Sequence, residues 1–176
     1  MTWRLRLAGA AAALVALHLT WEYSQGGIAS HSFMADASMP SISNAWGLIW
    51  LPFVAFLYAP SIRRRAIGGG LRPRWRPSIV AGLVGGLGVG ASIAAFVMFG
   101  PDIDGNWILG SLLVLSLAFP VWRGETVLGF LLGMMVGVGA ILPSIFAFAF
   151  GLLSFVVHRA IVPGAARVWK TLRRPR

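Results

Sequence analysis

From Thr126 to Val157 the chain runs for about 32 residues without an ionisable side chain. A water-facing surface cannot be built from such a run, because soluble domains carry about a quarter of their residues as charges. The remainder is scarcely more polar: of 176 residues, 57% are hydrophobic and 11% charged. Most apolar faces must therefore meet lipid, and about 20 apolar residues suffice for one helical crossing. The sequence predicts an all-α, polytopic integral membrane helix bundle. Residues 1–176 read as a single transmembrane domain, with no length left for a separate soluble one.

Further apolar segments run over 5–21, 45–59, 78–99 and 107–122. The 126–157 run is too long for one ordinary span. Gly137, Gly139 and Pro143 near its middle suggest two short spans meeting around 140–143, which gives about six transmembrane helices arranged as three hairpins. The alternative is five spans with a long, kinked last helix. Residues 62–77 form a basic linker, with Gly68–Gly70 as its flexible centre and Pro73 and Pro77 interrupting helix. Residues 159–176 form a basic tail, and its stretch from Gly164 to Arg174 suits either a short amphipathic helix on the membrane surface or a disordered basic tail.

Charge favours six crossings. With the N-terminus inside, Arg4, Arg6, the six linker arginines, Arg123 and the tail all fall on the cytoplasmic side. That places all 15 basic residues inside. Segments 23–44 and 100–106 then lie outside, with Asp36, Asp102 and Asp104 and no Lys or Arg. Five crossings would put the basic tail outside, against the positive-inside tendency. Tryptophan agrees: Trp21, Trp46 and Trp107 mark outer span ends, Trp3, Trp75, Trp122 and Trp169 inner ones, and Trp50 alone sits a turn deeper. Arg4 and Arg6 before Leu7–Leu17 imitate a signal peptide, but His18 and Glu22 follow where small residues belong. The near-total choice of Arg over Lys, with abundant Ala and Gly, points to a GC-rich bacterial genome and hence a bacterial cytoplasmic (inner) membrane.

A pI near 11.9 does not imply nucleic acid here, because the charges are confined to short segments between spans. The partners it implies are the bilayer and its anionic headgroups at the cytoplasmic face. Gly82, Gly86 and Gly90, and again Gly129, Gly133 and Gly137, recur every four residues. Each set makes a strip where another helix can approach closely, within this chain, in a homo-oligomer or in a membrane complex.

The stretch from His18 to Gly47 is the one that departs from plain spanning sequence. His18 and Glu22 share a helix face one turn apart, and an ionisable residue inside a span marks a candidate site. His31, Asp36 and Asn44 follow in a loop too apolar to float free, so the loop is expected to fold over the outer helix ends. His18, Glu22, His31 and Asp36 offer imidazole and carboxylate ligands suited to a divalent metal. Ser30 or Ser32 with His31 and Asp36 offers acid–base or nucleophilic chemistry, without a framing motif. Ordinary structural roles also suffice: His18 bonding a neighbouring helix, His31 and Asp36 pairing, Asn44 capping the second span. Glu125 reads as a membrane-interface partner of Arg123.

With no cysteine, the chain has no disulfide, thiol nucleophile or thiolate metal site. No span contains a lysine for a retinal Schiff base, and the scarcity of ionisable residues at mid-membrane disfavours a proton pump. Two classes of function are expected: a small transporter or channel-type protein or subunit of a membrane complex, and, as the alternative, a membrane-embedded enzyme acting on a lipid or isoprenoid at the outer leaflet.

Overall fold

The computed structural model describes residues 2–32, 40–67, 76–100, 105–164 and 167. Six helices dominate: α1 (Thr2–Ser24), α2 (Gly47–Ile67), α3 (Pro77–Phe99), α4 (Gly105–Ala118), α5 (Gly124–Val138) and α6 (Ile141–Val156). α2 carries Arg63–Arg65 on its last turns, so the basic run begins as helix. Pro77 opens α3 at the first helical position, where its missing N–H costs nothing. Beyond α6 a π-turn, Val157–Ile161, carries the helix on to Gly164.

Three helices are long and apolar enough to cross a membrane: α2 with its leading turn, α3, and α6 with its continuation. α1 has 23 residues but includes Arg4, Arg6, His18 and Glu22. α4 and α5 have 14 and 15 residues. At 1.5 Å per residue they reach about 21 and 22 Å, short of the roughly 30 Å hydrocarbon layer.

The long uncharged run divides at Gly139, whose backbone adopts φ +77°, ψ −172°. Essentially only glycine visits that region, and a side chain there would also collide with the Asn44 carboxamide. Pro143 falls within the first turn of α6, where proline is tolerated.

Specific contacts fix the helix directions. Val15 of α1 meets Gly47, and Arg4 lies over Phe56, so α1 and α2 run antiparallel. Gly82, Gly86 and Gly90 meet Glu125, Thr126 and Phe130 in order, and Gly137 meets Ala94, so α3 and α5 are parallel. α5 begins beside Tyr58 and ends beside Asn44, antiparallel to α2. α6 starts near Trp50 and ends beside the Phe119–Trp122 turn, antiparallel to α5. α4 packs mainly on α6, with Leu112 reaching the core around α5. These contacts set α1, α3 and α5 in one direction and α2 and α6 in the other. Among the described residues, one end of the bundle gathers Arg4, Arg63–Arg65, Arg76, Arg123 and Arg159, and the other carries a small β-ribbon.

The ribbon is the departure from an all-helical chain. Strands β1 (Ser30–Ser32) and β2 (Ser41–Ser43) pair antiparallel, with His31 opposite Ile42. A 3-10 turn, Asn44–Trp46, then leads into α2.

α5 is the core helix, buried between α3, α2 and α6. Its two glycine faces explain the closeness of α3: a Cβ at Gly86 or Gly90 would strike the Thr126 or Phe130 carbonyl, and one at Gly129 or Gly133 the Leu83 or Leu87 carbonyl. Small-residue faces of this kind let backbones touch. Away from that seam the surface is apolar. Leu17, Ile49 and Leu152 are 70%, 67% and 67% exposed, an apolar surface of the kind that marks a membrane or partner contact.

Candidate functional site

At the ribbon end, Ala11, Val15, His18 and Glu22 form the buried stripe of α1. Their spacing of four, three and four residues turns all of them toward α2, and this is why two ionisable residues lie inside. Glu22 is the hub. Its Oε1 accepts from Asn44 Nδ2 at 2.5 Å and lies 3.1 Å from His18 Nε2. Its Oε2 accepts from the Ala29 amide at 3.3 Å. The His18 contact is close but off the hydrogen-bonding direction, so Nε2 makes no aligned bond. The His18 ring also stacks against Trp21, centroids 5.8 Å apart.

The carboxylate thus ties the end of α1, the loop and the start of α2. Asn44 spends its side chain on Glu22, and Ser43 caps the 3-10 turn instead. His31 approaches Gly139 from the ribbon, next to Asn44. Asp36 lies outside the described residues, as do Asp102 and Asp104. Among the described residues no three His, Asp or Glu side chains converge as a metal-ligand set. The space left between Asn44 and Gly139 is about 10 Å³, room for about one water.

The large cavity lies elsewhere, between the α3–α5 pair and the α4–α6 pair, with a volume of about 560 Å³. That is within the usual range for ligand pockets, about 300–1,000 Å³. Val89, Leu112, Phe130 and Phe150 make its wall apolar, and it opens along one side where Phe119 and Phe146 stay exposed. Its polar groups collect at the basic end: Arg123, Glu125, Thr126 and Ser78.

Glu125 does not sit at an interface with Arg123. It is 2% exposed and ion-paired with Arg65 of α2. Neither of its carboxylate oxygens has a hydrogen-bond partner beyond that charge contact. The sequence did carry a signal for this burial. Glu125 precedes Gly129, Gly133 and Gly137 by the same four-residue step, so it lies on the strip facing α3. There Gly82 leaves it space, since a Cβ at Gly82 would meet the Glu125 Cγ at 2.8 Å. Ser154 was likewise unmarked by any motif. Fully buried on α6, it donates to the Phe119 carbonyl at 2.8 Å and accepts from the Val121 amide at 3.2 Å, which fixes the turn under the cavity. Trp50, the deep tryptophan, donates its indole N–H to Ser144 at 2.7 Å.

These features define a mostly helical bundle of six helices, three of them able to cross a membrane, a class consistent with a membrane protein. Compared with protein-family models, curated proteins and solved structures, the chain matches none.

Proposed function

We propose that the chain is a multi-pass protein of a bacterial cytoplasmic membrane, its six helices forming three outward-facing hairpins with both termini cytoplasmic. In this reading it is a non-catalytic transporter-type protein or membrane-complex subunit that holds a lipid-like chain between α3, α4, α5 and α6. The observation that carries it is the cavity of about 560 Å³, apolar along its length and charged only at the basic end. An apolar wall does not solvate an ion, so the reading favours a lipidic ligand over an ion-conducting pore. The ribbon-end cluster acts as a fastener, because Glu22 is engaged by Asn44 and the Ala29 amide and only about 10 Å³ is left free. α5, though short, is buried in protein, where a span need not match the bilayer thickness. The arginines of the basic end, Arg63 and Arg64 among them, then face anionic headgroups.

The test is lipid copurification. Gly85 lines the cavity and has open space where a Cβ would stand, so Gly85→Phe fills the chamber without breaking a helix contact. Protein in mild detergent is expected to retain stoichiometric lipid and Gly85→Phe to lose it. Equal retention by both would overturn the reading.

One observation favours a second reading, an outer-leaflet enzyme with a divalent metal: the ribbon brings His31 to the level of Asn44, beside the Glu22–His18 pair. Stoichiometric bound metal, lost on His31→Ala, would support it; metal-free protein from metal-supplemented growth would count against it.

A further inference from the structure

Two charged side chains, Arg123 and Glu125, line the basic end of the cavity, and a third, Arg65, stands behind Glu125, so that the charges do not cancel. Arg65 pairs with Glu125. Arg123 is close enough to repel Arg65, and it lines the cavity without being the partner of Glu125. Two guanidiniums therefore stand against one carboxylate, leaving a net positive charge at the apolar chamber. The start of α5 adds to it, since Arg123 is the N-cap and the amide dipoles of the helix point their positive end there. Glu125 contributes the opposite need: at 2% exposure its Oε2 has no donor. A buried carboxylate oxygen without a donor is unfavourable, and so is an uncompensated buried charge.

A single ligand answers both needs. We infer that the cavity takes one chain of an anionic phospholipid with a hydroxyl-bearing head, its phosphodiester paired with Arg123 and its hydroxyl donating to Glu125 Oε2. The inference rests on the lipid-binding reading above and adds the head chemistry to it. The phosphodiester carries one negative charge, matching the excess at the mouth. The hydroxyl satisfies the orphaned oxygen without displacing Arg65. The chain extends from this end into the space walled by Phe130, Val89 and Leu112. A zwitterionic choline head lacks the donor and brings a second cation toward two arginines. Because the mouth lies at the basic end, the bound lipid belongs to the cytoplasmic leaflet on the proposed topology.

The test separates charge from donor. Purified protein in mixed micelles is offered equal amounts of phosphatidylglycerol, phosphatidylmethanol and phosphatidylcholine with identical chains, and bound lipid is read by native mass spectrometry. Phosphatidylmethanol keeps the charge of phosphatidylglycerol but has no hydroxyl. One hydrogen bond to a charged group corresponds to about tenfold in affinity, so phosphatidylglycerol is expected to exceed phosphatidylmethanol by about that factor. Arg65→Leu combined with Glu125→Leu removes the ion pair as a unit, which buried pairs tolerate; it is expected to bring that ratio to about one while the chains still bind. Arg123→Gln, which leaves the pair intact, is expected to remove the advantage of both anionic lipids over phosphatidylcholine. A wild-type ratio of one, or a ratio unchanged in the double variant, would overturn the head assignment. An unchanged anionic preference in Arg123→Gln would do the same, and this variant keeps the proposal testable if the double variant fails to fold. Binding of all three lipids undiminished by Gly85→Phe would instead overturn the cavity reading beneath it.

Discussion

Asn44 holds its place through both ends of one carboxamide. Its Nδ2 donates to Glu22 at 2.5 Å while its Oδ1 occupies the space that a side chain at position 139 would need. The bond joins residues 22 apart in sequence and both are buried, so the Glu22 oxygen has little water to turn to if the donor is removed. Asn44→Ala is expected to destabilise the protein by about 1–3 kcal/mol. Thermal melting in detergent checks this, and the double variant with Glu22→Gln should cost less than the two single costs combined, since the partners share one interaction. At this scale the sequence was half legible. His18 and Glu22 stood out because acids and imidazoles are rare within apolar helix. Asn44 reads from the sequence as a member of the same polar cluster and as a cap of the second span, a role that Ser43 takes instead. Its partner depends on how the loop closes, and no local rule specifies that. Glu125 was misassigned to Arg123 for a related reason: adjacent opposite charges suggest a pair, whereas the helix phase turns the acid toward α3 and within reach of Arg65 on another helix.

The α3–α5 seam makes a sharper demand at the scale of an element. Gly86 and Gly88 are two residues apart in α3, yet a Cβ at Gly86 would strike the Thr126 carbonyl while one at Gly88 meets nothing within 4 Å. Gly86→Ala must therefore push the helices apart, at a cost of about 1–3 kcal/mol or more. Gly88→Ala is expected to be neutral or to stabilise the helix by up to about 1 kcal/mol. Melting temperatures of the two variants, measured side by side, check the difference. A seam elsewhere on α3 would give both substitutions the same sign. The four-residue spacing was visible in the sequence, and so was the break in the 126–157 run, because glycine and proline act through local backbone geometry. That the two glycine strips meet each other within one chain was not visible, since either strip could equally have received a second copy. Nor was the β-ribbon. Its strands are three residues long, shorter than any pattern that alternation can reveal.

Across the whole molecule, the ordering of charge is the main regularity. The start of α1, the end of α2, the start of α3, the 119–123 turn and the end of α6 meet at one end and carry arginine. The ribbon end carries Glu22 and His31 and, among the described residues, no Lys or Arg. Hydropathy alone identifies three crossing helices; α1 escapes it through its charges, and α4 and α5 through their length. The proposed six crossings therefore rest on the helix directions and the segregated arginines. α4 is the decisive helix: if it crosses, the Phe119 turn lies on the cytoplasmic side. The chain has no native cysteine, so single cysteines can be introduced at exposed Ser30, Ser61 and Phe119 and treated with a membrane-impermeant maleimide. The account expects Ser30→Cys to react in intact cells, and Ser61→Cys and Phe119→Cys to react only after permeabilisation. Labelling of Phe119→Cys in intact cells would contradict it.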